Sequence, residues 1–455
     1  MNGNALSLRK YDRTFYKTAA AIAIPIIFQQ LIGICLNMID TMMIGKLGVN
    51  ELSGVGAANR VFFVFVIVCF GFYSGCSVLL AQYYGAEDTK NIRRILGIDY
   101  IFGASLSLLV MAASFLLAPQ IISLFADEPE VIDFGVRYLR IVQISYIFTA
   151  LTYVLTFNCR AIHRLVMPTI ISCVALGINT FLNYCLIYGN FGLPKLGVEG
   201  AAIATVIARV AESIFIFIYV YRAKNHPLAG RPRELFSFGR TMLRRVLHTT
   251  YAVVISEGTW SIGNAVYYIA YGKTGGAALA VVQVASVAVD LFQAVFFGVG
   301  NACAVMIGNE LGRHNTQRAY EYAKNFLRFT LYICIAMTVL FWFAKAPIIR
   351  FYDFDATTSA LLDSTLNTYV IYLLPRMLTY TLFIGILRAG GDTRFCMLLD
   401  VGGIWCIGVP LAFLSAIVFQ WQLPYVVALS LADEFFKLFI CLWRLRSRRW
   451  INVLI

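Results

Sequence analysis

Gly45-Lys46-Leu47-Gly48 returns 227 residues further along the chain as Gly272-Lys273-Thr274-Gly275, and Gly71 and Gly85 return at the same distance as Gly298 and Gly312. Arg160-Ala161 and Arg388-Ala389 repeat at 228, so the second half has gained one residue and the correspondence spans nearly all of the 455-residue chain. The sequence reads as a tandem duplication. In an apolar chain, a repeat of this size marks two like helical bundles that rock against each other around a solute site. Solute movement is therefore the first functional expectation.

Composition places the chain in a bilayer. Hydrophobic residues make up 60%, aromatic residues 15% and charged residues 13%, and the mean hydropathy is +0.75, whereas charged residues approach about a quarter of a soluble protein. Windows of about 20 apolar residues cross a membrane as a helix. They fall at 19–44, 52–83, 92–118, 135–157, 166–189 and 198–221, then at 246–271, 279–308, 321–344, 363–387, 395–419 and 424–443. The predicted fold is all-α, with twelve transmembrane helices in two pseudo-symmetric six-helix bundles. Six crossings per half bring both halves in from the same side, so the repeat is parallel. The N-terminal lobe spans 1–221 and the C-terminal lobe, with its basic cytoplasmic tail, spans 246–455. Between them, 222–245 carries Pro227, Gly230 and Pro232 and reads as a basic cytoplasmic linker.

Charge sets the orientation. Arg9, Lys10, Arg13 and Lys17, the segments around Arg93 and Arg313, the linker, and Arg444 to Arg449 fall on one side. The opposite loops are poor in cations and hold Asp127, Glu128, Glu130, Asp353 and Asp355. By the positive-inside rule both termini are cytoplasmic and the protein is a multi-pass component of the cell (inner) membrane. The net charge of +13 is spread over every cytoplasmic loop without a reading motif, which argues against a nucleic-acid partner. The first apolar stretch contains Asp40 and lacks a small-residue cleavage pattern, so it reads as a retained helix rather than a signal peptide. Eleven cysteines sit mostly inside the spans with no C-x-x-C pair, and four histidines are scattered. No Walker A, G-x-S-x-G or H-E-x-x-H pattern occurs, so no cofactor and no enzymatic chemistry are expected.

An ionisable side chain in a membrane core costs at least about 2.5 to 3.5 kcal/mol and is a functional candidate by default. In the first span Gln30, Gly33, Asn37 and Asp40 step by three, four and three and share one helical face. The seventh span repeats the arrangement with Glu257, Trp260, Asn264 and Tyr268, and Glu257 lies roughly 16 Å into it. The eighth carries Gln283, Ser286 and Asp290, the tenth Tyr372, Arg376 and Tyr380, the fifth Asn179 and Asn183, and the sixth Thr205.

Asp40, Glu257 and Asp290 are the candidates for exchanging protons or sodium ions. Asn179, Asn183 and Thr205 supply hard oxygens that would complete a sodium or hydronium site at Asp40. The alternative is that each carboxylate pairs with a cation such as Arg60 or Arg376 and only fixes helix packing. Tyr146, Tyr153, Trp260, Tyr268 and Tyr380 share stripes with polar groups. Rings in a cavity attract organic cations by about 0.5 to 2 kcal/mol per contact, so these residues, with Gln30, Asn37, Asn264, Gln283 and Arg376, are the expected substrate-cavity lining. Pro25, Pro375 and Pro410 interrupt spans and are candidate hinges.

Several of these residues also carry a family resemblance. Pro25 to Gln30 leading to Asp40-Thr41-Met42-Met43-Ile44-Gly45, the run Asn179 to Gly189, the loop Gly192 to Gly200, and Arg388-Ala389-Gly390-Gly391-Asp392 resemble the multidrug and toxic compound extrusion (MATE) family over essentially the full length. The resemblance implies a V-shaped pair of six-helix lobes, alternating access, and export of amphipathic cations in exchange for protons or sodium. It makes Asp40, with Asn179 and Thr205, the N-lobe coupling site and places a bend near Pro25. Some members have an aspartate where this chain has Asn183. NorM-type members pair the acid at the Glu257 position with an acid on the tenth helix, where this chain reads Arg376-Met377.

The sequence thus points to a monomeric cation-coupled antiporter for amphipathic, mostly cationic compounds. The rival is a flippase for a lipid-linked saccharide or peptidoglycan precursor, which would line its cavity with several arginines.

Overall fold

The computed structural model of the chain describes residues 3–352 and 354–455, with side chains from Thr14 onward. The side chains of Arg9, Lys10 and Arg13, and Asp353, from the charge pattern above, lie outside the described residues. Every regular element among the described residues is a helix. In the first half these are α1 (Gly3–Gly45), α2 (Val49–Gly85), α3 (Thr89–Ser123), α4 (Pro129–Val142), α5 (Ser145–Ala161), α6 (Val166–Tyr188), α7 (Val198–Arg222) and the short α8 (Pro232–Leu235). The second half holds α9 (Arg240–Gly272), α10 (Ala278–Gly312), α11 (Thr316–Tyr352), α12 (Ala356–Tyr380), α13 (Thr393–Gly402), α14 (Val409–Phe413), α15 (Leu423–Ser430) and α16 (Asp433–Ser447).

These helices make the twelve expected passes. Among the described residues nine are long and apolar enough to cross a membrane, and α4 with α5, bent by 52°, makes a tenth. The remaining two are α9, whose middle is enriched in Thr, Ser, Tyr and Glu257, and the α15–α16 pair, broken at Leu431–Ala432. Two passes contain wide π turns. α12 continues through Thr381–Arg388, and α13 reaches α14 through Gly403–Gly408 and goes on through Leu414–Val418. Pro410 lacks an N–H and its ring displaces the carbonyl of the preceding turn, which a widened turn accommodates.

Leu116, Phe343 and Phe439 are each about 70% exposed (72%, 71% and 70%). That is the outer surface a bilayer requires, with helices because lipid offers the backbone no hydrogen bonds.

By contact the chain divides into two compact units. The first comprises residues 28–80 and 88–247. In it α3 packs on α4, α5 and α8, while α7 packs on α4, α5 and α6. The stretch read as a linker is docked here. Arg93 pairs with Glu234 at 2.9 Å and donates to the carbonyl of Pro227, Gly97 abuts the backbone of Leu235, and His226 is buried.

The second unit contains the chain up to Ile27, residues 81–87 and everything from His248 onward. Its core gathers Phe296, Phe341, Leu366 and Met377. Phe15 packs on Phe326 with ring centroids 4.8 Å apart, and Gly298 leaves room for Ala23 and Ile27. The last turn of α2 crosses the last turn of α10, with Gly85 against Asn309, Gly312 against Gln82 and Gly308 against Ala81. The C-terminal segment is strapped to the same place: Trp450 is fully buried beside Gly390, and the Gln82 amide bonds the backbone of Asn452 (3.1 Å) and Leu454 (2.8 Å).

Candidate functional site

In the first unit, the polar face of α1 opens on a cavity of about 350 Å³. Asn37 and Asp40 of α1, Asn59 of α2, Tyr138 of α4, Asn179 and Asn183 of α6, and Thr205 and Arg209 of α7 line it. Asn179 and Asn183 are one turn apart, which aims both amides at the same carboxylate. Asp40 Oδ1 accepts from Asn183 Nδ2 at 3.0 Å and from Thr180 Oγ1 at 3.4 Å. The Asn179 amide, oriented to satisfy both its ends, donates Nδ2 to Asp40 Oδ2 at 2.8 Å and accepts from the Thr205 N–H at 3.3 Å. Thr205 Oγ1 donates to the Ala201 carbonyl at 3.0 Å.

Asp40 therefore meets three donors and forms no ion pair. The expected alternative partner, Arg60, is exposed and does not bond it. The cation in the cavity is Arg209, whose guanidinium holds Glu212 at 2.7 Å. Arg209 stands four residues after Thr205 on the same helical face of α7.

In the second unit the two acids singled out beforehand meet different fates. Glu257 forms an ion pair with Arg388 at 2.8 Å, and the Arg388 side chain is only 3% exposed. The alternative that Glu257 pairs with an arginine is therefore realised, but with Arg388 rather than Arg376, which forms no ion pair among the described residues. The tenth apolar window ends at 387, and the π turns after α12 carry the helix one residue further, to Arg388. Asp290 is exposed and makes no hydrogen bond or ion pair among the described residues, so the alternative pairing with Arg376 does not form. Beside Glu257, Ser256 donates to Asp400 Oδ2 at 2.7 Å, Asp400 Oδ1 accepts from Lys437 Nζ at 3.0 Å, and the same Nζ reaches Asp433 at 2.8 Å. This network was missed. Its signal was present as Asp433, Glu434 and Lys437 within one apolar span, and Asp400 within another.

The expected cavity lining is only partly realised. Asn37 belongs to the Asp40 cavity. Tyr146 does not: it is fully buried and stacked on Phe65 with centroids 5.2 Å apart, because α5 turns that face into the unit's own core. Tyr153 is half-buried beside Phe157. Tyr268 shares a hydrogen bond with Ser286 at 3.0 Å, and Tyr380 lies against Gly300. Trp260, Asn264 and Gln283 are exposed, while Gln30 and Arg376 are half-buried; none of these five walls the Asp40 cavity. Pro25 lies inside α1, and the boundary between the two units falls two residues later, after Ile27.

A duplicated all-helical membrane fold with polar groups gathered inside its bundles defines a transporter rather than an enzyme. The pattern of the MatE family matches residues 25–185 and again 253–414, once in each half of the repeat, and the chain belongs to that family of multi-pass efflux transporters. It is 25% identical to the uncharacterized transporter YisQ of Bacillus subtilis, over 97% of this chain and 96% of that one. To the multidrug resistance protein MdtK of Edwardsiella ictaluri it is 23% identical, over 91% and 90% of the two chains. A crystal structure of the Vibrio cholerae MATE transporter VcmN shares the fold with a TM-score of 0.88 at 17% identity, covering 97% of this chain and 98% of that one.

Proposed function

We propose that the protein is a multidrug antiporter that exports amphipathic cations in exchange for protons, with Asp40 carrying the proton. The carrying observation is the environment of Asp40: an acid facing a cavity of about 350 Å³, with no cation of its own and with amide and hydroxyl donors on both carboxylate oxygens. A sodium ion needs oxygen lone pairs around it, whereas the Asn179 and Asn183 amides turn N–H groups towards this carboxylate. A proton fits that surrounding. Neutralising Asp40 loosens its bonds to α6 and so frees α1 to move relative to it, with Pro25 as the point where the helix lacks a backbone donor. The multidrug resistance names of relatives such as MdtK support export of varied organic compounds. A flippase for anionic lipid-linked precursors is disfavoured, because the one arginine in the cavity is engaged by Glu212. We place the protein in the inner membrane as a monomer with both termini cytoplasmic, on the distribution of Lys and Arg. The test is efflux of a fluorescent organic cation from vesicles under an imposed proton gradient, in wild type and in Asp40→Asn.

A further inference from the structure

We propose that residues 450–454 form a latch on the last turn of α2, and that this latch has to release before α2 can part from α10. Gln82, fully buried in that turn, commits both ends of its side-chain amide to the segment. Its Nε2 donates to the Asn452 carbonyl at 3.1 Å, and its Oε1 accepts from the Leu454 N–H at 2.8 Å. The Asn452 N–H donates in turn to the Gly390 carbonyl at 2.9 Å. Asn452 thus joins α2, from the first repeat, to the turn that follows the π stretch after α12, in the second. The main-chain carbonyl of Gln82 lies against Gly312 of α10, so the residue held by the latch is the one that sits at the glycine crossing.

The base of the latch is anchored in the second repeat independently of Gln82. Arg444 of α16 grips Asp392 through Nε at 2.7 Å and Nη2 at 3.2 Å and lies 4.5 Å over the Phe395 ring, while Arg448 lies 4.2 Å over Tyr320 of α11. Trp450 fills the space that Gly390 leaves, and Leu454 packs on Gly391. The duplication makes the outward reach to α2 informative. At the offset of 227 the counterpart of 450–454 is 223–227, and that segment turns back on its own repeat, where Arg93 of α3 donates to the Pro227 carbonyl at 3.3 Å. The second copy instead bonds a helix of the other repeat. Packing within one bundle does not call for that, whereas holding the two repeats together at one end does.

Closure at this end therefore combines two kinds of contact. The glycine crossing is close van der Waals packing, and the Gln82 amide adds directional bonds shielded from water, which hold until the segment withdraws and water can replace them. Gln82→Met keeps the length of the side chain and removes both bonds. The closed arrangement then leaves the Asn452 carbonyl and the Leu454 N–H without that partner, while the parted one hydrates them. The balance shifts towards parting by about tenfold, the order expected of two net hydrogen bonds. In an exporter this sets how readily the site is loaded. That this end faces the cytoplasm and opens during transport rests on the antiport reading above; the coupling of the segment to the crossing does not.

The experiment is amide hydrogen exchange, read peptide by peptide on the purified full-length protein, in wild type, Gln82→Met and Trp450→Ala. Gln82→Met is expected to speed exchange about tenfold over 450–454, over 81–87 and over the last two turns of α10, 306–312, with α6 unchanged. Trp450→Ala, which unseats the segment without touching α2, is expected to speed the same three stretches. A segment that merely packs would loosen alone, so acceleration confined to 450–454, or wild-type exchange in both variants, overturns the proposal. The double variant Gln82→Cys with Leu454→Cys gives a second reading that needs no loss of fold. Efflux of a fluorescent organic cation is expected to stop when the disulfide is formed and to return on reduction, with wild type unaffected by the same treatment. Efflux at the wild-type rate with the disulfide in place overturns the latch. If wild type exports no cation under any gradient, the antiport reading fails, and the exchange result alone decides for or against the latch.

Discussion

Gly85 and Asn309 touch backbone to backbone, and their repeat counterparts Gly312 and Gln82 make the same contact in reverse: a methyl group on either glycine would overlap the carbonyl oxygen opposite. The repeat offset of 227 converts one contact into the other. Only glycine permits this approach of α2 to α10, and neither residue could yield, because the obstruction is main chain.

Gly85→Ala and Gly312→Ala should therefore each destabilise the protein by about 1–3 kcal/mol, the usual cost of overpacking. The two losses should combine non-additively, since they pry apart one crossing. Gly177→Ala, a helical position with open space around the added methyl, is the control and should be neutral or slightly stabilising. Thermal unfolding of the solubilised protein reads all three.

Glu257→Gln should be strongly destabilising. It leaves Arg388 buried at 3% exposure without its carboxylate, a situation that costs about 3–5 kcal/mol. The double replacement Glu257→Leu with Arg388→Met should recover most of that loss, because an apolar pair of similar volume carries no desolvation penalty. Melting temperatures of the single and double variants give the comparison.

Acid should undock the segment between α7 and α9. Burial pushes the His226 imidazole down to about 4, and the Arg164 guanidinium adds to the shift. The ordinary value is about 6.5, so the undocked segment binds the extra proton first. The contribution of the neutral ring is complete above about pH 6.5 and is lost as the pH falls towards about 4, up to about 3 kcal/mol in all. The Glu234 carboxyl is held below its ordinary value, mainly by the Arg231 backbone N–H, and works in the same direction. Amide hydrogen exchange over 222–235 should rise as the pH drops through this window, and His226→Leu should flatten the dependence.

How far the sequence carried the reading can be seen residue by residue. The repeat offset was legible because glycines at crossings admit no substitute, and the same offset governs the two family matches. Asp40, Asn179, Asn183 and Thr205 were legible because each lies at helical spacing from other polar groups in an apolar span, and the cavity does bring them together. Tyr146 was misread because periodicity shows that residues share a face but not what that face meets. The pairing of Arg388 with Glu257 was not legible because span boundaries drawn from hydropathy stop at 387, and the π turns carry the helix on to Arg388. The network of Asp400, Lys437 and Asp433 needed two helices of the last two passes, α13 and α16, to converge on Ser256 of α9, a long-range fact that spacing along the chain does not contain.

The central claim is that Asp40 carries a proton that drives export. The most direct measurement is efflux of a fluorescent organic cation from energised or everted vesicles, comparing wild type with Asp40→Asn under a proton gradient and, separately, a sodium gradient. The account predicts transport in wild type driven by the proton gradient alone and abolished in the variant. Transport by Asp40→Asn at the wild-type rate, or transport in wild type that follows only the sodium gradient, would contradict it.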